Sequence, residues 1–529
     1  MPFGRTANSV SVGSISGIIT ILLAILIAVA GLYSFKNIAE SNYKPVLYAS
    51  LVLLAVIAMF MSFYKFLCIV TIIAAFNFSA LLFDPRGPYQ GVQPFYMLIL
   101  RDILLLLLFA NWFLRRIVTK VSLPIPPRIL KPLAAYCLYI LARAVSTMTS
   151  PIASIRMLRY LVLYPVVLIF IVPYAFRNKR SIERYLWLFV IIGLIVAAIG
   201  IINVKTDFGS TYQIHTGFEE TYGTRGRAVS TLANPNNLAA YLAMVIGVAV
   251  SLAIEGALKS RLQKLFIALI IGVALTCLFL TFSRGGMLAL TLTLMVLFGI
   301  RGVKNRRNAL LVCLVIVMIA GSLMFFLAMK KRSGSLIDGF QKQKRIDYFV
   351  LAVRDMFGNP FEFVFGRGIA AGYEEGQEED EIGIIKAVNT TKADNLFVRI
   401  WRESGTIGLF IFLYLLFAIL REIEKIYGYQ SDPYLKGGCS AALSAVLCTT
   451  MWGIGARSFA LFPLGYYVWI FVGLAIAVES IKEAEIAHSV KPDRNLPPEK
   501  SQLLRSFTRP QNQDTAKIIS SRKEDINGI

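Results

Sequence analysis

Fourteen apolar stretches, read at about 18 to 21 residues each, fill most of this chain, and a helix of that length crosses the hydrocarbon core of a bilayer. A hydrophobic fraction of 57% beside 16% charged residues excludes a soluble globular protein of 529 residues. We therefore predict an all-α polytopic membrane protein with about 14 transmembrane helices (12–14) and one large outer loop that contains amphipathic helices. The predicted spans are 14–34, 45–64, 66–83, 94–114, 131–149, 157–175, 185–204, 237–254, 265–282, 285–300, 309–328, 406–420, 437–455 and 463–478.

Lysine and arginine collect in the connections that follow the even-numbered spans, and the positive-inside rule makes these connections cytoplasmic. An even span count then places both termini in the cytoplasm. The net charge of +23 is explained mainly by this bias and by a role in attraction to anionic lipid. Nucleic acid is therefore not an expected partner. The basic residues are Lys65, Arg115, Arg116, Lys120, Arg177, Lys179, Arg180, Arg184, Lys259, Arg261, Lys264, Arg301, Lys304, Arg306, Arg307, Arg421 and Lys425.

Five segments follow from this topology. We predict N-terminal transmembrane helices over 1–204, a transmembrane core with an arginine-bearing outer loop over 205–328, and a large periplasmic or extracellular loop over 329–405. C-terminal transmembrane helices cover 406–479, and a disordered basic cytoplasmic tail covers 480–529. The first span ends in a shape typical of a signal-peptide cleavage site, but the leader before it is long and nearly neutral, which favours an uncleaved span.

Cysteine chemistry and metal binding are not expected. All six cysteines fall inside predicted spans, where they act as small apolar residues, and no C-x-x-C motif occurs. The acidic run over 374–381 is typical of a solvated surface, with divalent-metal binding as the alternative. We predict no cofactor and no metal site.

The first outward-facing segment of interest carries Arg225 and Arg227 just before Asn234-Pro235-Asn236. Asparagine followed by proline is typical of a turn that caps a helix start. A cation beside a positive helix end is unfavourable unless an anion lies between them. The motif therefore indicates either a cap alone or a cap with an anion site.

The second segment is the turn Ser283-Arg284-Gly285-Gly286, which must lie between two spans because the apolar stretch 265–300 is twice the length of one. Arg284 is then at the outer membrane interface. It either extends to lipid headgroups or binds another anion, and the positive-inside rule favours the second interpretation.

The third segment is the large outer loop, whose opening run over 335–356 has apolar residues at helical spacing and carries Arg345. A glycine-rich turn follows Asn359-Pro360, and the loop closes with Asp394 and Asn395 just before span twelve. A carboxylate at that position serves as a helix cap or as a general base, and spacing alone does not decide between them.

Taken together, these motifs resemble those of the O-antigen ligase and polysaccharide polymerase superfamily. The resemblance covers about 205–420 and rests on four motifs in this order: Arg227 with Asn234-Pro235-Asn236-Asn237-Leu238-Ala239; Phe282-Ser283-Arg284-Gly285-Gly286; Arg345-Ile346 with Asn359-Pro360 and Gly366-x-Gly368; and Asp394-Asn395-Leu396 with Glu403-x-Gly405-x-x-Gly408.

The resemblance implies a multi-pass glycosyltransferase that moves a glycan from an undecaprenyl-diphosphate donor to an acceptor hydroxyl on the outer face of the cytoplasmic (inner) membrane. It implies that Arg227 and Arg284 are the essential pair that holds the diphosphate, and guanidinium groups suit this task because they bind phosphate oxygens in bidentate fashion. The family's proposed base is a histidine in a His-Asn pair, and here Asp394 occupies that place beside Asn395.

This departure leaves three possibilities for the base. Asp394 could act with a pKa raised above its ordinary value of about 3.9. His215, in the same outer loop as Arg227, could replace it, or the acceptor could need little activation because the diphosphate is a good leaving group. The missing histidine favours a polymerase slightly over a ligase.

We thus predict Asp394, Arg227 and Arg284 as catalytic residues and an active site on the outer face. The expected partners are the lipid-linked glycan donor, an acceptor glycan or lipid, the bilayer, and other polysaccharide-assembly proteins. A lipid-linked oligosaccharide flippase and a non-catalytic scaffold of an envelope complex are the alternatives. The predicted substrate-binding residues are Arg225, Arg345, Arg156, Arg159, Asn395 and His215.

Overall fold

Long apolar helices make up most of the part of the chain that the computed structural model describes. The described residues are 62–75, 109, 112–113, 125–146, 154, 157–205, 227–232, 234–301, 353–354, 356–369, 377–379, 385–387, 395–455, 459 and 464–489.

The helices are numbered here in chain order. They are α1 (Phe63–Ala75), α2 (Pro127–Ser146), α3 (Tyr164–Ala175, preceded by the π-helical turn Arg159–Leu163), α4 (Lys179–Lys205), α5 (Pro235–Ile254, preceded by the 3-10 turn Ser230–Leu232), α6 (Arg261–Leu280), α7 (Arg284–Arg301), α8 (Pro360–Phe365), α9 (Leu396–Tyr429), α10 (Pro433–Gly453) and α11 (Leu464–Ser489).

Six of these helices are long and apolar enough to span a membrane, namely α2, α4, α5, α6, α9 and α11. This confirms a mostly helical, multi-pass protein. Ten of the fourteen predicted spans overlap with described helices. The remaining four lie wholly or largely outside the described residues, so the count of fourteen and the predicted outer loop stay predictions, as do the five segment boundaries. The four are 14–34, 45–64, 94–114 and 309–328.

Three of the described helices begin with the same two-residue signal, an Asn or Asp followed by Pro. In α5, α8 and α10 the side chains of Asn234, Asn359 and Asp432 each accept hydrogen bonds from two backbone amides of the first turn. Proline suits the next position because a backbone N–H at the first helical residue would have no acceptor within the helix, and proline lacks that N–H. Of these three helix starts, the sequence analysis predicted the cap at Asn234.

Helix α5 lies at the centre of the described bundle and contacts α4, α6, α7 and α10. Its tyrosine, Tyr241, is fully buried and packs against Phe189 of α4 and Tyr467 of α11 at centroid distances of 5.8 and 5.5 Å. Aromatic pairs at these distances add to the stability that burial of the rings supplies. This core fixes how the ends of the surrounding helices are arranged.

Side-chain contacts identify which helix termini lie together. Thr231 at the start of α5 donates to the carbonyl oxygen of Ala75 at the end of α1, at 2.7 Å. We call this the Asn234 end of the bundle. At the other end of α5, Glu255 accepts from Ser440 near the start of α10 at 2.6 Å. The start of α10 is also paired with Lys179, the first residue of α4, so we call this the Lys179 end.

Helix α9 contains a kink at Gly405, where φ is +69° and ψ is −175°. The helix starts ten residues before the predicted span, because the more polar first turns from Leu396 pack against α2 and α8. The predicted all-α class has one small exception. Two three-residue strands, Gln377–Glu379 and Ile385–Ala387, pair antiparallel with Glu378 opposite Lys386.

Residues after Val478 form a second compact unit. Helix α11 extends to Ser489, so residues 480–489 of the predicted disordered tail (480–529) are helical, and the rest of that tail lies outside the described residues.

Candidate functional site

Arg227 lies at the Asn234 end, with only 7% of its surface exposed. Its Nε donates to the carbonyl oxygen of Thr281 at 2.6 Å, and Nη2 donates to Oδ1 of Asn236 at 3.2 Å. The adjacent amide of Ala228 donates to the carbonyl oxygen of Leu280 at 2.9 Å. The Arg227 segment is therefore fixed to the last turn of α6.

These contacts revise the electrostatic argument made from the sequence. Arg227 is near the positive start of α5, as predicted, but its guanidinium also contacts the carbonyl end of α6. The C-terminal end of a helix carries partial negative charge, which stabilises a cation. A backbone carbonyl therefore fills the role that the sequence argument gave to a bound anion, and burial of Arg227 alone does not require a ligand.

Asparagines of the Asn234-Pro235-Asn236 motif have separate roles. Asn234 caps α5 by accepting from the amides of Asn236 and Asn237 at 2.8 and 3.3 Å. The side chain of Asn236 is instead the acceptor for Arg227. The motif thus combines the predicted cap with orientation of the arginine.

Arg284 is the first residue of α7, directly after a tight turn from α6. Phe282 in this turn has a positive φ of 49°, and the Oγ of Ser283 lies 3.4 Å from the amide of Gly286. The turn predicted from Ser283-Arg284-Gly285-Gly286 is therefore present. It places the half-buried Arg284 three residues along the chain from Thr281, whose carbonyl oxygen holds Arg227.

The last turn of α10 contacts both the start of α7, next to Arg284, and the start of α9. A Cβ atom built on Gly285 would lie 3.5 Å from the ring of Trp452, and the side-chain amide of Asn395 donates to the carbonyl oxygen of Ile454 at 2.8 Å. Trp452 and Ile454 are two residues apart, so Arg284 and Asn395 both neighbour the last turn of α10.

Asn395, rather than Asp394, is the described cap of α9. Its Oδ1 accepts from the amides of Phe397 and Val398 at 2.9 and 3.1 Å. Of the two roles that the sequence left open for Asp394, the cap is therefore taken by its neighbour. Asp394 itself lies outside the described residues.

The glycine-rich turn after α8 crosses the kink of α9 at backbone contact. The amides of Arg367 and Gly368 donate to the carbonyl oxygens of Arg402 and Glu403 at 2.8 and 3.1 Å. A Cβ atom on Gly405 would lie 2.2 Å from the carbonyl oxygen of Val364, so only glycine permits this approach. The third and fourth sequence motifs are thereby joined.

Helix α2 holds both sides of this crossing, a role that the sequence analysis missed. Arg143 Nη2 donates to the carbonyl oxygen of Gly366 at 2.9 Å, and the hydroxyl of Tyr139, one turn earlier, donates to that of Ser404 at 2.8 Å. Arg143 is 8% exposed. The sequence signal that could have indicated this role is the position of Arg143 near the end of the predicted span 131–149, four residues after Tyr139.

Two further arginines lie near the start of α9. Arg399 is paired with Glu403 at 2.8 Å and also contacts Met157, two residues before Arg159. Arg159 begins the π-helical turn, and its guanidinium stacks over the ring of Tyr160 at 4.6 Å. Short π-helical segments are frequent at functional sites. Arg399 was not predicted, and its contact with Met157 follows only from the fold.

Several predicted site residues are not covered by the structure. Of the predicted set, Arg227, Arg284, Arg159 and Asn395 are described, and the contacts above bring Arg227, Arg284 and Asn395 to one end of the bundle. The others lie outside the described residues, namely Asp394, Arg225, Arg345, Arg156 and His215.

Aromatic side chains are exposed beside the crossing. Phe357, Phe361 and Phe365 are 67%, 61% and 37% exposed, and the last two contact each other at a ring distance of 5.0 Å. Exposed phenylalanines at helical spacing are typical of a segment that lies at a membrane surface.

Residues 266–413 match the family model described as O-antigen ligase. The match confirms, over this part of the chain, the resemblance predicted from the motifs, and it indicates a glycosyl-transferring membrane enzyme. It includes Arg284, Asn395 and the crossing at Gly405, whereas Arg227 precedes it. In a comparison with curated proteins, none matches the chain.

Proposed function

We propose, from this family match, that the protein is a membrane glycosyltransferase of surface polysaccharide assembly. It would transfer a glycan from an undecaprenyl-diphosphate-linked donor to an acceptor hydroxyl, as a polymerase or an O-antigen ligase does. The observation that carries the proposal is the meeting of Arg227, Arg284 and Asn395 at one end of the helical bundle. These residues belong to three of the four motifs on which the resemblance rests.

Arg284 is the proposed principal contact for the diphosphate. It combines a guanidinium with the first turn of α7, and both attract anions because the helix start carries partial positive charge. Arg227 is proposed to stand beside it, oriented by Thr281 and Asn236. Arg159 and the predicted Arg225, Arg345 and Arg156 would supply further positive charge.

The proposed reaction forms a bond between the acceptor oxygen and the anomeric carbon of the donor sugar. The bond from that carbon to the diphosphate oxygen breaks, and undecaprenyl diphosphate leaves with the bonding electrons. The arginines stabilise the charge that develops on the leaving group. The acceptor proton passes to Asp394 as the proposed base, with His215 as the substitute.

We also propose that the Asn234 end faces the outside. The basic residues of the predicted cytoplasmic loops support this orientation, because Lys179, Arg261 and Lys425 all belong to helix termini at the opposite end. Labelling of a cysteine at position 284, in a variant without the native cysteines, tests it. Labelling of Arg284→Cys only by a reagent confined to the cytoplasm would contradict it.

The decisive experiment measures release of undecaprenyl diphosphate by purified full-length protein supplied with a lipid-linked glycan and an acceptor. Arg284→Ala is expected to lower the rate about 100- to 1,000-fold, as removal of a charge-stabilising donor does, and Arg284→Lys to restore little because it lacks the bidentate fork. Arg261→Ala is the matched control, since Arg261 is also the first residue of a helix in the same hairpin, at the Lys179 end.

A flippase or a scaffold would release no undecaprenyl diphosphate in this assay. The buried charges of the described helices favour the enzyme over a flippase. Glu422, only 1% exposed, is paired with Lys425 at 2.9 Å, and Arg143 is bonded to a backbone carbonyl. Both therefore have structural partners within the protein, whereas a transport pathway requires charges that line a route through the membrane.

A further inference from the structure

A basic cavity of about 480 Å³ opens at the Lys179 end, away from the candidate site. It lies among the first residues of α1, the last residues of α3 and the first two turns of α4. Three arginines line it, Arg177, Arg180 and Arg184, together with the rings of Tyr64 and Tyr174. No acidic residue lines this cavity in the described part of the chain.

The first two turns of α4 separate their charges onto two faces. Lys179 is paired with Asp432, and Glu183 interacts with Tyr434, so this face is turned to α10. Arg180 and Arg184 are four residues apart, as Lys179 and Glu183 are, and residues at that spacing share a helix face. The two arginines therefore lie on a second face of α4. Both line the cavity, and no ion pair links them to a carboxylate among the described residues.

The chemistry of this cavity is that of a phosphate site. Guanidinium groups bind phosphate oxygens in bidentate fashion and stay charged in a partly apolar setting. The start of α4 adds the partial positive charge of a helix N-terminus, where Asn178 caps the amide of Ser181 at 2.9 Å. Tyrosine rings beside basic residues are typical of the depth at which lipid headgroups lie.

We propose that this cavity binds the phosphate group of an anionic phospholipid from the leaflet that faces the Lys179 end. The cytoplasmic leaflet is rich in such lipids, and basic pockets between transmembrane helices on that side hold their headgroups. The site would attach α1, α3 and α4 to the bilayer. The inference uses the orientation of the bundle but not the transfer reaction, so failure of one leaves the other intact.

Native mass spectrometry of the full-length protein tests the proposal, with phosphatidylglycerol as the probe and phosphatidylcholine as the zwitterionic comparison. We expect one tightly held phosphatidylglycerol per chain. The double variant Arg180→Gln/Arg184→Gln should weaken its binding about 30-fold, since each basic residue contributes about fivefold to attraction of anionic lipid. Arg261→Gln/Lys264→Gln removes the same charge at the same end but outside the cavity, and it should keep the bound lipid.

Inorganic phosphate distinguishes the two sources of the ligand. If millimolar phosphate displaces the lipid from the native protein but not from the Arg180→Gln/Arg184→Gln protein, the cavity also accepts free phosphate. If phosphate displaces no lipid, the site requires the whole lipid. If the double variant does not fold, Arg180→Lys/Arg184→Lys replaces it and should bind the lipid more weakly than the native protein. Equal losses in cavity and control variants, or no bound lipid, would overturn the proposal.

Discussion

Replacement of Gly405 by alanine is the most direct test of the crossing between α9 and the turn after α8. Its backbone, at φ +69° and ψ −175°, is in a region that is essentially restricted to glycine, and another residue is strained there by about 1 to 3 kcal/mol. The new methyl group would also lie 2.2 Å from the carbonyl oxygen of Val364 and 2.5 Å from the amide nitrogen of Gly366. Forced displacement of packed atoms adds about 1 to 3 kcal/mol, so Gly405→Ala should destabilise the protein by about 2 to 6 kcal/mol.

Gly428 in the same helix is the matched control. A Cβ atom there meets nothing within 4 Å, and the residue is exposed and helical. Gly428→Ala should therefore stabilise the helix by about 0.5 to 1 kcal/mol. The apparent melting temperature of each purified protein in detergent gives the comparison, with transfer activity as the second measurement. A Gly405→Ala protein that melts at or above the native temperature would refute the argument that this contact requires glycine.

Three further changes test the arrangement around the candidate site. Asn395→Ala should cost about 0.5 to 2 kcal/mol of stability through the lost cap and also reduce transfer, whereas Asn395→Asp keeps the cap acceptor and should melt closer to the native protein. Arg143→Met should lower the free energy of unfolding by about 1.5 to 3 kcal/mol because a charge-assisted bond is lost, while Lys131→Met, at an exposed position of the same helix, should change it little. Asp394→Asn should remove most transfer activity, and Asp394→His should retain part of it. If His215→Ala is the only inactive variant, His215 is the base. If all three variants are active, the proposal of general-base catalysis is wrong.

Local signals were sufficient for the cap that starts α5 and for the turn at Arg284. Asparagine followed by proline at position 234, and Ser283 before a glycine pair, fix the backbone through contacts within a few residues. The start of α9 was misplaced for the opposite reason. Its first turns contain Arg399 and Glu403, which lower the hydropathy, and the helix is stabilised there by packing and by the cap of Asn395.

The sequence named Arg227 and Arg284 as candidate site residues, but it did not predict their contacts. The sequence indicated Arg227 and Arg284 as a pair, yet the partner of Arg227 is the backbone carbonyl of Thr281, and a carbonyl leaves no mark in residue type or spacing. The role of Arg143 depends on a carbonyl 223 positions away in the chain, at Gly366. Contacts of this kind exist only once the helices are packed.

Helix α9 also sets a depth in the bilayer. Its 34 residues would extend about 51 Å as a straight helix, well beyond a hydrocarbon core of about 30 Å. The portion after the kink at Gly405, residues 406–429, extends about 36 Å and is long enough to cross the core by itself. With that portion in the core, the turns from Leu396 to the kink would lie in the headgroup layer, and Asn395 with them. A polyprenyl diphosphate has its charge at this same level while its isoprenoid chain stays in the hydrocarbon, so the proposed donor could reach Arg284 by lateral diffusion without leaving the membrane.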